Sequence, residues 1–200
     1  MAINLANNNS LANITALPSS ISGGAMTLLA TQTASSSSTI SFTSGIDDTY
    51  DKYVFKFYNI HPATDGVTFE FQGSTNGGST YGVTITSSVF QAYHQENDAG
   101  AGIQYATNND LAQSTSFQKI TGDLGNQNDE CGSGIVQLFN PSSTTFVKHF
   151  ITRENGQQNN EQSVNVFAAG YFNTTSAINA VQFKMSSGNF DGVIKLYGIS

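Results

Sequence analysis

The sequence predicts an all-β fold, an antiparallel β-sandwich whose leading architecture is a jelly roll, with other sandwiches as close alternatives. Short segments alternate apolar and polar residues with a period of two, and turns rich in Gly, Asn and Ser separate them. No stretch of roughly 10 to 12 residues keeps the apolar stripe of an amphipathic helix. About ten to twelve such strands are typical of two packed antiparallel sheets.

The first strands lie at residues 26–33 and 40–42, and the serines between them predict a turn, so we interpret this pair as a hairpin. Residues 53–60 are apolar on both faces, with Tyr53, Phe55 and Phe57 on one and Val54, Tyr58 and Ile60 on the other. This pattern indicates a central strand that is covered on both sides.

Residues 67–72 alternate cleanly, with Val67, Phe69 and Phe71 facing inwards, and Asn76-Gly77-Gly78 predicts a turn after which residues 81–86 return antiparallel. Residues 92–132 are more weakly patterned, with strands at 103–105 and 117–120 between long loops. Five further strands are predicted at residues 135–139, 146–151, 164–172, 181–185 and 193–196.

Residues 1–25 have a different composition, rich in Asn, Ser and Ala, and their apolar residues keep no sustained period. We therefore predict an extended N-terminal arm at 1–25 and one β-sandwich domain at 26–200. An arm of this kind can add to a neighbour's sheet edge or groove. Its candidate partner-binding residues are the apolar ones, Ile3, Leu5, Leu11, Ile14 and Leu17.

Charge is sparse in this chain, with 10% charged residues and a formal net charge of −7. The seven Lys and Arg residues are scattered singly, so we expect no nucleic-acid partner. A single cysteine excludes an internal disulfide. Neither a basic leader nor an apolar run of about 18 residues is present, which predicts a soluble chain made in a cytoplasm, without membrane insertion.

No catalytic, cofactor-binding or metal-binding residue is predicted. His61, His94 and His149 stand outside metal-ligating spacings, and no Gly-x-Ser-x-Gly motif occurs. Acidic groups such as Asp47-Asp48 and Asp129-Glu130 leave a structural calcium or a glycan-cleaving carboxylate pair as minor alternatives. The chain contains no Trp that could serve as a sugar platform.

Two tyrosines near the middle loops, Tyr93 and Tyr105, are the remaining candidate partner-binding residues. Their rings could stack on a saccharide, whereas packing at the rim of the domain or at subunit contacts is the interpretation we favour.

Six segments are distinctive: 44–50 (SGIDDTY), 57–66 (FYNIHPATDG), 138–150 (LFNPSSTTFVKHF), 169–178 (AGYFNTTSAI), 183–192 (FKMSSGNFDG) and 194–199 (IKLYGI). In these segments the chain resembles an uncharacterised family of virion structural proteins from marine-type tailed bacteriophages. The resemblance runs from about residue 26 to the end. It implies a particle component and brings no catalytic residues with it.

The expected function is therefore that of a capsid decoration or cement protein, a homotrimer that contacts the phage major capsid protein. The virion, assembled in the host cytoplasm, is the expected location. A tail fibre or receptor-binding module that recognises a host glycan or protein is the alternative, and a carbohydrate-active enzyme or lectin is a third. The head is favoured over the tail because the chain has neither a coiled-coil stalk nor a triple-β repeat.

Overall fold

A computed structural model describes residues 26–200, which form two antiparallel sheets packed face to face as a β-sandwich. The sheets contain eight and four strands, in the orders β1-β12-β3-β8-β9-β10-β5-β6 and β2-β11-β4-β7. The predicted all-β sandwich is thus confirmed, whereas the jelly roll stays a prediction. The strands are β1 (Thr27–Ser37), β2 (Thr39–Phe42), β3 (Lys52–Pro62), β4 (Phe69–Ser74), β5 (Ile85–Gln95), β6 (Ala101–Tyr105), β7 (Gln118–Lys119), β8 (Gly132–Phe139), β9 (Lys148–Gln158), β10 (Gln162–Phe172), β11 (Ala180–Met185) and β12 (Phe190–Ile199).

Phenylalanine rings from both sheets interlock to form the core. Phe183 of the four-stranded sheet stacks on Phe69 with ring centroids 5.6 Å apart, and it meets Phe55 of the eight-stranded sheet edge-on at 5.3 Å. Phe71 meets Phe150 in the same way at 5.1 Å. These rings are fully buried, and aromatic pairs at such angles add stability beyond the area that they bury.

The predicted hairpin of the first two strands is wrong, because β1 and β2 lie in different sheets. β1 pairs with β12 and β2 pairs with β11. The chain crosses between the layers at Ser36, which has a φ of +47°, and Asn189 and Asp191 hydrogen-bond its backbone. The connection between β11 and β12 crosses between the two sheets at the same corner, and these hydrogen bonds join the two crossings.

The predicted antiparallel return after Asn76-Gly77-Gly78 is also wrong. Gly77 and Gly78 do have the positive φ that a turn requires, +69° and +87°. However, the next strand, β5, begins at Ile85 and pairs with β10 and β6 in the other sheet. The turn therefore leads out of the four-stranded sheet.

The face assignment in β3 is correct as far as Tyr58 and then fails. Asn59 has a φ of +51°, and the register with β8 shifts between Phe57 and Ile60. This bulge turns Ile60 into the core, where it is fully buried, while Tyr58 remains 39% exposed. The expected cover on the second face of β3 is therefore incomplete.

The eight-stranded sheet is wider than its partner, and the segment between β6 and β8 covers the excess of its inner face. Leu124 bridges both Val67 and Gln158 through isolated backbone pairs. A small second cluster of Val89, Val164, Val166 and Ala168 lies on that side. The same segment covers the polar outward face of β4, where the Gln72 amide donates to the carbonyls of Thr115 and Ser116.

Candidate interaction surface

The outer face of the eight-stranded sheet is the side away from the four-stranded sheet. It exposes more large apolar side chains than is usual for a sheet face in contact with solvent. Phe90, Ile103, Tyr105 and Ile151 are 48%, 79%, 53% and 46% exposed. They lie on β9, β5 and β6, with β10 between β9 and β5, and the cross-strand register puts them on one side of the sheet. A contiguous group of this kind marks an interaction surface more often than isolated apolar residues do.

One cross-strand row organises this surface. Arg153, Phe167, Phe90 and Tyr105 are directly opposite one another on β9, β10, β5 and β6. The Phe167 and Phe90 rings stack in parallel, 4.8 Å between centroids and 5° between planes, and the Arg153 guanidinium lies 5.1 Å from the Phe167 centroid. Both faces of Phe167 are thus occupied by protein.

The row continues towards the opposite edge of the sheet with lysines. Lys56 and Lys195 are opposite each other on β3 and β12. The Lys56 ammonium lies 5.1 Å from the Tyr197 ring centroid, and that of Lys195 lies 5.7 Å from the Tyr58 centroid. Aromatic neighbours hold these cations without neutralising them.

The strands of this face carry outward charges of one sign, and the carboxylates that border it, Asp98 at His94 and Asp110 at Tyr105, lie in loops. Four of the seven Lys and Arg residues occupy its outward positions: Lys52, Lys56, Arg153 and Lys195. The strands of the eight-stranded sheet contain two carboxylates in all. Glu154 faces inwards, and Asp191 lies at the beginning of β12, where it accepts the Ser36 N–H. The outer face is therefore cationic although the chain is acidic.

One end of the sandwich has the opposite character. Its loops follow β3, β5 and β9 and precede β6, β8 and β10. Backbone hydrogen bonds join them, including Gly66 to Leu124 at 3.0 Å and Glu96 to Glu161 at 3.0 Å. Within the described residues these loops contain no Lys or Arg. We call this surface the acidic end, and its exposed carboxylates belong to Asp65, Glu96, Asp98, Asp123, Asp129 and Glu161.

The structure places the two predicted tyrosines on opposite sides of the β5–β6 ribbon. Tyr105 lies on the outer face, and its hydroxyl donates to the Asp110 carboxylate at 2.7 Å. Tyr93 is half-buried on the inner face against the second apolar cluster. Ile3, Leu5, Leu11, Ile14 and Leu17 lie outside the described residues.

Sequence reasoning missed Phe90, Ile103, Arg153 and Phe167 as surface residues. The signal was present, because Phe90 alternates in phase with Ser88 and His94, and Phe167 with Ser163 and Asn165. An aromatic residue on the polar side of an alternating strand indicates an interaction surface once the whole strand is recognised.

The interior contains ionisable groups that belong to no catalytic arrangement. Glu154 is 1% exposed, neither of its carboxylate oxygens has a hydrogen-bond partner, and burial raises its pKa well above the usual value. Lys148 is also buried, and its ammonium donates to the carbonyls of Phe146 and Thr174 at 2.9 and 3.1 Å. Burial lowers the pKa of Lys148. Neither group has a nucleophile or a second carboxylate as a hydrogen-bond partner in the described structure.

His61 and Glu130 meet at the acidic end through a backbone contact. A ring nitrogen of His61, Nδ1, lies 2.6 Å from the Glu130 carbonyl, and the Glu130 carboxylate accepts the Gln127 N–H at 2.7 Å. Across residues 26–200, no three His, Cys, Asp or Glu side chains converge as metal ligands would. None of the described residues forms a helix that is long and apolar enough to span a membrane.

The chain matches no family model, no curated protein and no solved structure. The outer face and the acidic end are therefore interpreted from their own chemistry.

Proposed function

We propose that this chain is a structural protein of a tailed-bacteriophage virion, a capsid decoration or cement protein that stabilises the head through protein–protein contacts. In this role it is not an enzyme, it needs no cofactor, and its partners are copies of itself, as a homotrimer, and the major capsid protein. The resemblance to virion proteins, which runs from about residue 26 to the end and is carried by segments such as 57–66 and 138–150, supports the biological setting.

The observation that carries the proposal is the exposed outer face of the eight-stranded sheet. Phe90, Ile103, Tyr105 and Ile151 remain accessible on the half of the face near Arg153, and Lys52, Lys56 and Lys195 lie on the other half. A surface of this composition gains free energy when a protein covers it, because apolar burial contributes roughly 25 cal/mol per Å². Repeated copies on a symmetric particle multiply such contacts, so each one can be weak.

Localisation in the intact virion tests the proposal most directly. Cryo-electron microscopy of the particle, with antibody labelling of this chain, should show it at regular positions on the head. Density restricted to the tail would contradict the decoration role, and absence from purified particles would contradict any virion role.

The contribution of residues 1–25 needs a separate test with full-length protein. Replacing Ile3, Leu5, Leu11, Ile14 and Leu17 by Ser should reduce binding to capsids if this segment anchors the chain. A matched variant with Asn7, Asn8 and Asn9 replaced by Ser controls for changes in the same segment. Full capsid occupancy by the first variant would exclude an anchoring role.

A tail fibre or receptor-binding module is the second candidate, and the β5–β6 ribbon is the feature that favours it. β6 is the edge strand of its sheet, and Ile103, which lies on it, is 79% exposed. An exposed edge of this kind can meet a host surface protein or glycan. Binding of the purified protein to host cells, abolished by Ile103→Asp but not by the distant exposed change Thr144→Asp, would support this role.

A further inference from the structure

The cationic outer face and the acidic end are two complementary surfaces on one molecule, and they adjoin at Gln157 and His94, which contact Glu96 and Asp98. The outer face presents Lys52, Lys56 and Lys195 on β3 and β12, and Arg153 on β9 next to the Phe167 and Phe90 rings. The acidic end presents six exposed carboxylates on loops that contain no Lys or Arg among the described residues. We propose that copies of this chain associate through a heterologous contact, in which the outer face of one copy packs against the acidic end of the next.

This inference rests on the self-association included in the proposed function, and it identifies the surfaces involved. A heterologous contact uses two different patches, so it generates a ring where the rotation closes. A cyclic trimer needs this kind of contact. Two outer faces packed against each other would instead bring eight cations together, which opposes association.

The size of the outer face is sufficient for a stable interface. Eight strands at the usual spacing of about 4.8 Å span about 34 Å, and strands of about ten residues run for a similar length. The face therefore offers roughly 1,000 Å². Specific interfaces bury about 800 Å² on each partner.

The arrangement of the aromatic rings favours protein over a saccharide or a nucleobase as the occupant. Both of these ligands stack on an open ring face. On the outer face, Phe167 lies between Phe90 and Arg153, so both of its faces are taken. The most exposed of the large apolar residues is the aliphatic Ile103, and together with Ile151 it suits apolar side chains of another protein.

The chain's own first 25 residues are a poorer complement, because they contain no charged side chain. They could cover apolar area but would leave the cations of the outer face without carboxylate partners. A second copy supplies both apolar contacts and carboxylates. Charge complementarity therefore selects the acidic end of a neighbouring copy as the occupant.

Charge reversal tests the contact with full-length purified protein. The face variant combines Lys56→Glu with Arg153→Glu, and the end variant combines Asp123→Lys with Asp129→Lys. Sedimentation velocity and light scattering should show wild-type oligomers and, for each variant alone, an association constant lower by at least about ten-fold. Thr144→Glu, at an exposed position of the loop between β8 and β9, should leave the constant unchanged.

Two restoring experiments separate this contact from general damage to the fold. A chain carrying all four substitutions exchanges the signs of two cations on the face and two carboxylates at the end, so it should recover part of the association that either variant alone loses. Mixing the face variant with the end variant should also produce mixed oligomers, because the unchanged acidic end of the face variant can contact the unchanged outer face of the end variant. Circular dichroism and melting temperature establish that every variant is folded.

Salt gives an independent readout on the unmodified chain. Raising salt from about 0.1 M to about 1 M shortens the Debye length from about 10 Å to about 3 Å, so association should weaken. A wild-type chain that stays monomeric, or a fourfold variant that stays as dissociated as the face variant, would overturn the inference. Either result leaves the virion role untouched, whereas intact association of a chain that is absent from particles would remove only the virion role.

Discussion

The two faces of the eight-stranded sheet are built from the same strands and use the same aromatic residues for opposite purposes. On the inner face, Phe55 and Phe150 are 0% and 1% exposed and pack against rings of the opposite sheet. On the outer face, Phe90 and Phe167 stack on each other beside Arg153. In this chain, therefore, the surroundings of an aromatic ring, rather than the residue type, determine whether it belongs to the core or to the surface.

Charged residues distinguish the faces more sharply. The inner positions contain Lys148 and Glu154, each without an oppositely charged hydrogen-bond partner in the described structure. The outer positions contain four cations, and three of them lie beside a tyrosine ring or the Phe167 ring. An isolated buried charge costs stability, whereas an exposed cation beside a ring costs little and remains available to a partner.

Truncation of an inner ring should have the largest effect on stability. Phe55→Ala removes a fully buried side chain that contacts Phe42 and Phe183, both with centroids 5.3 Å away. We expect the free energy of unfolding to fall by about 3 to 5 kcal/mol in urea titrations. Phe90→Ala on the outer face is the matched control and should cost under about 1 kcal/mol. Equal losses at the two positions would refute the distinction between the faces.

An added methyl group on the inner face should have the next largest effect. A Cβ at Gly134 would lie 2.7 Å from Phe57 Cζ and 2.8 Å from Glu154 Cα, and it would also meet the Arg153 carbonyl oxygen. Because two of these neighbours are backbone atoms, Gly134→Ala should cost about 1 to 3 kcal/mol of unfolding free energy. Gly82→Ala, where the space is open, should change it by less than about 0.5 kcal/mol. A tolerated Gly134→Ala would mean that β8 and β9 can separate.

The sequence predicted the class of fold because alternation is a local property. Phe69 and Phe71 face the core as expected, and β8, β10, β11 and β12 lie where apolar alternation placed them. The pairing of strands could not be predicted in the same way. β1 pairs with the edge of β12 in the eight-stranded sheet instead of forming a hairpin with β2. No local pattern encodes this choice of partner.

Polar strand segments were the other failure. Residues 152–158 belong to β9, but Thr152, Glu154 and Gln158 have the composition of a loop. Residues between β6 and β8 fold over the end of this strand, where Leu124 pairs with Gln158, which is a long-range effect. The outer face could not be predicted from sequence for the same reason, since a cationic surface forms only when β3, β9 and β12 lie in one sheet.

Substitution of the buried Glu154 should change stability less than the substitutions of Phe55 and Gly134, and it should stabilise the protein rather than destabilise it. Burial raises its pKa in the folded protein above the usual value of 4.5, so the folded state binds the extra proton. Stability is then fully present below about pH 4.5 and falls as the pH rises towards the folded pKa, by up to roughly 1.4 kcal/mol for each pH unit.

Glu154→Gln removes this penalty without changing the shape of the side chain. The variant should be more stable than the wild type at about pH 8, and the difference should shrink towards about pH 5. Urea midpoints at the two pH values measure it, and Glu161→Gln at the exposed acidic end is the control. Wild-type and Glu154→Gln curves that run parallel across this range would show that Glu154 ionises normally.

The smallest expected effect belongs to the outer face and separates folding from association. Arg153→Ala removes the guanidinium that lies 5.1 Å from the Phe167 ring, and an exposed contact of this type contributes about 0.5 to 1 kcal/mol. Arg153→Lys keeps the charge and should recover part of the loss. Unfolding free energy should therefore change by no more than about 1 kcal/mol, while the oligomer measured by sedimentation weakens several-fold, since Arg153 carries one of the four cations of the face. A loss of 3 kcal/mol or more in the monomer would place Arg153 among the residues that hold the fold together, and the outer face would then be a second core surface rather than an interface.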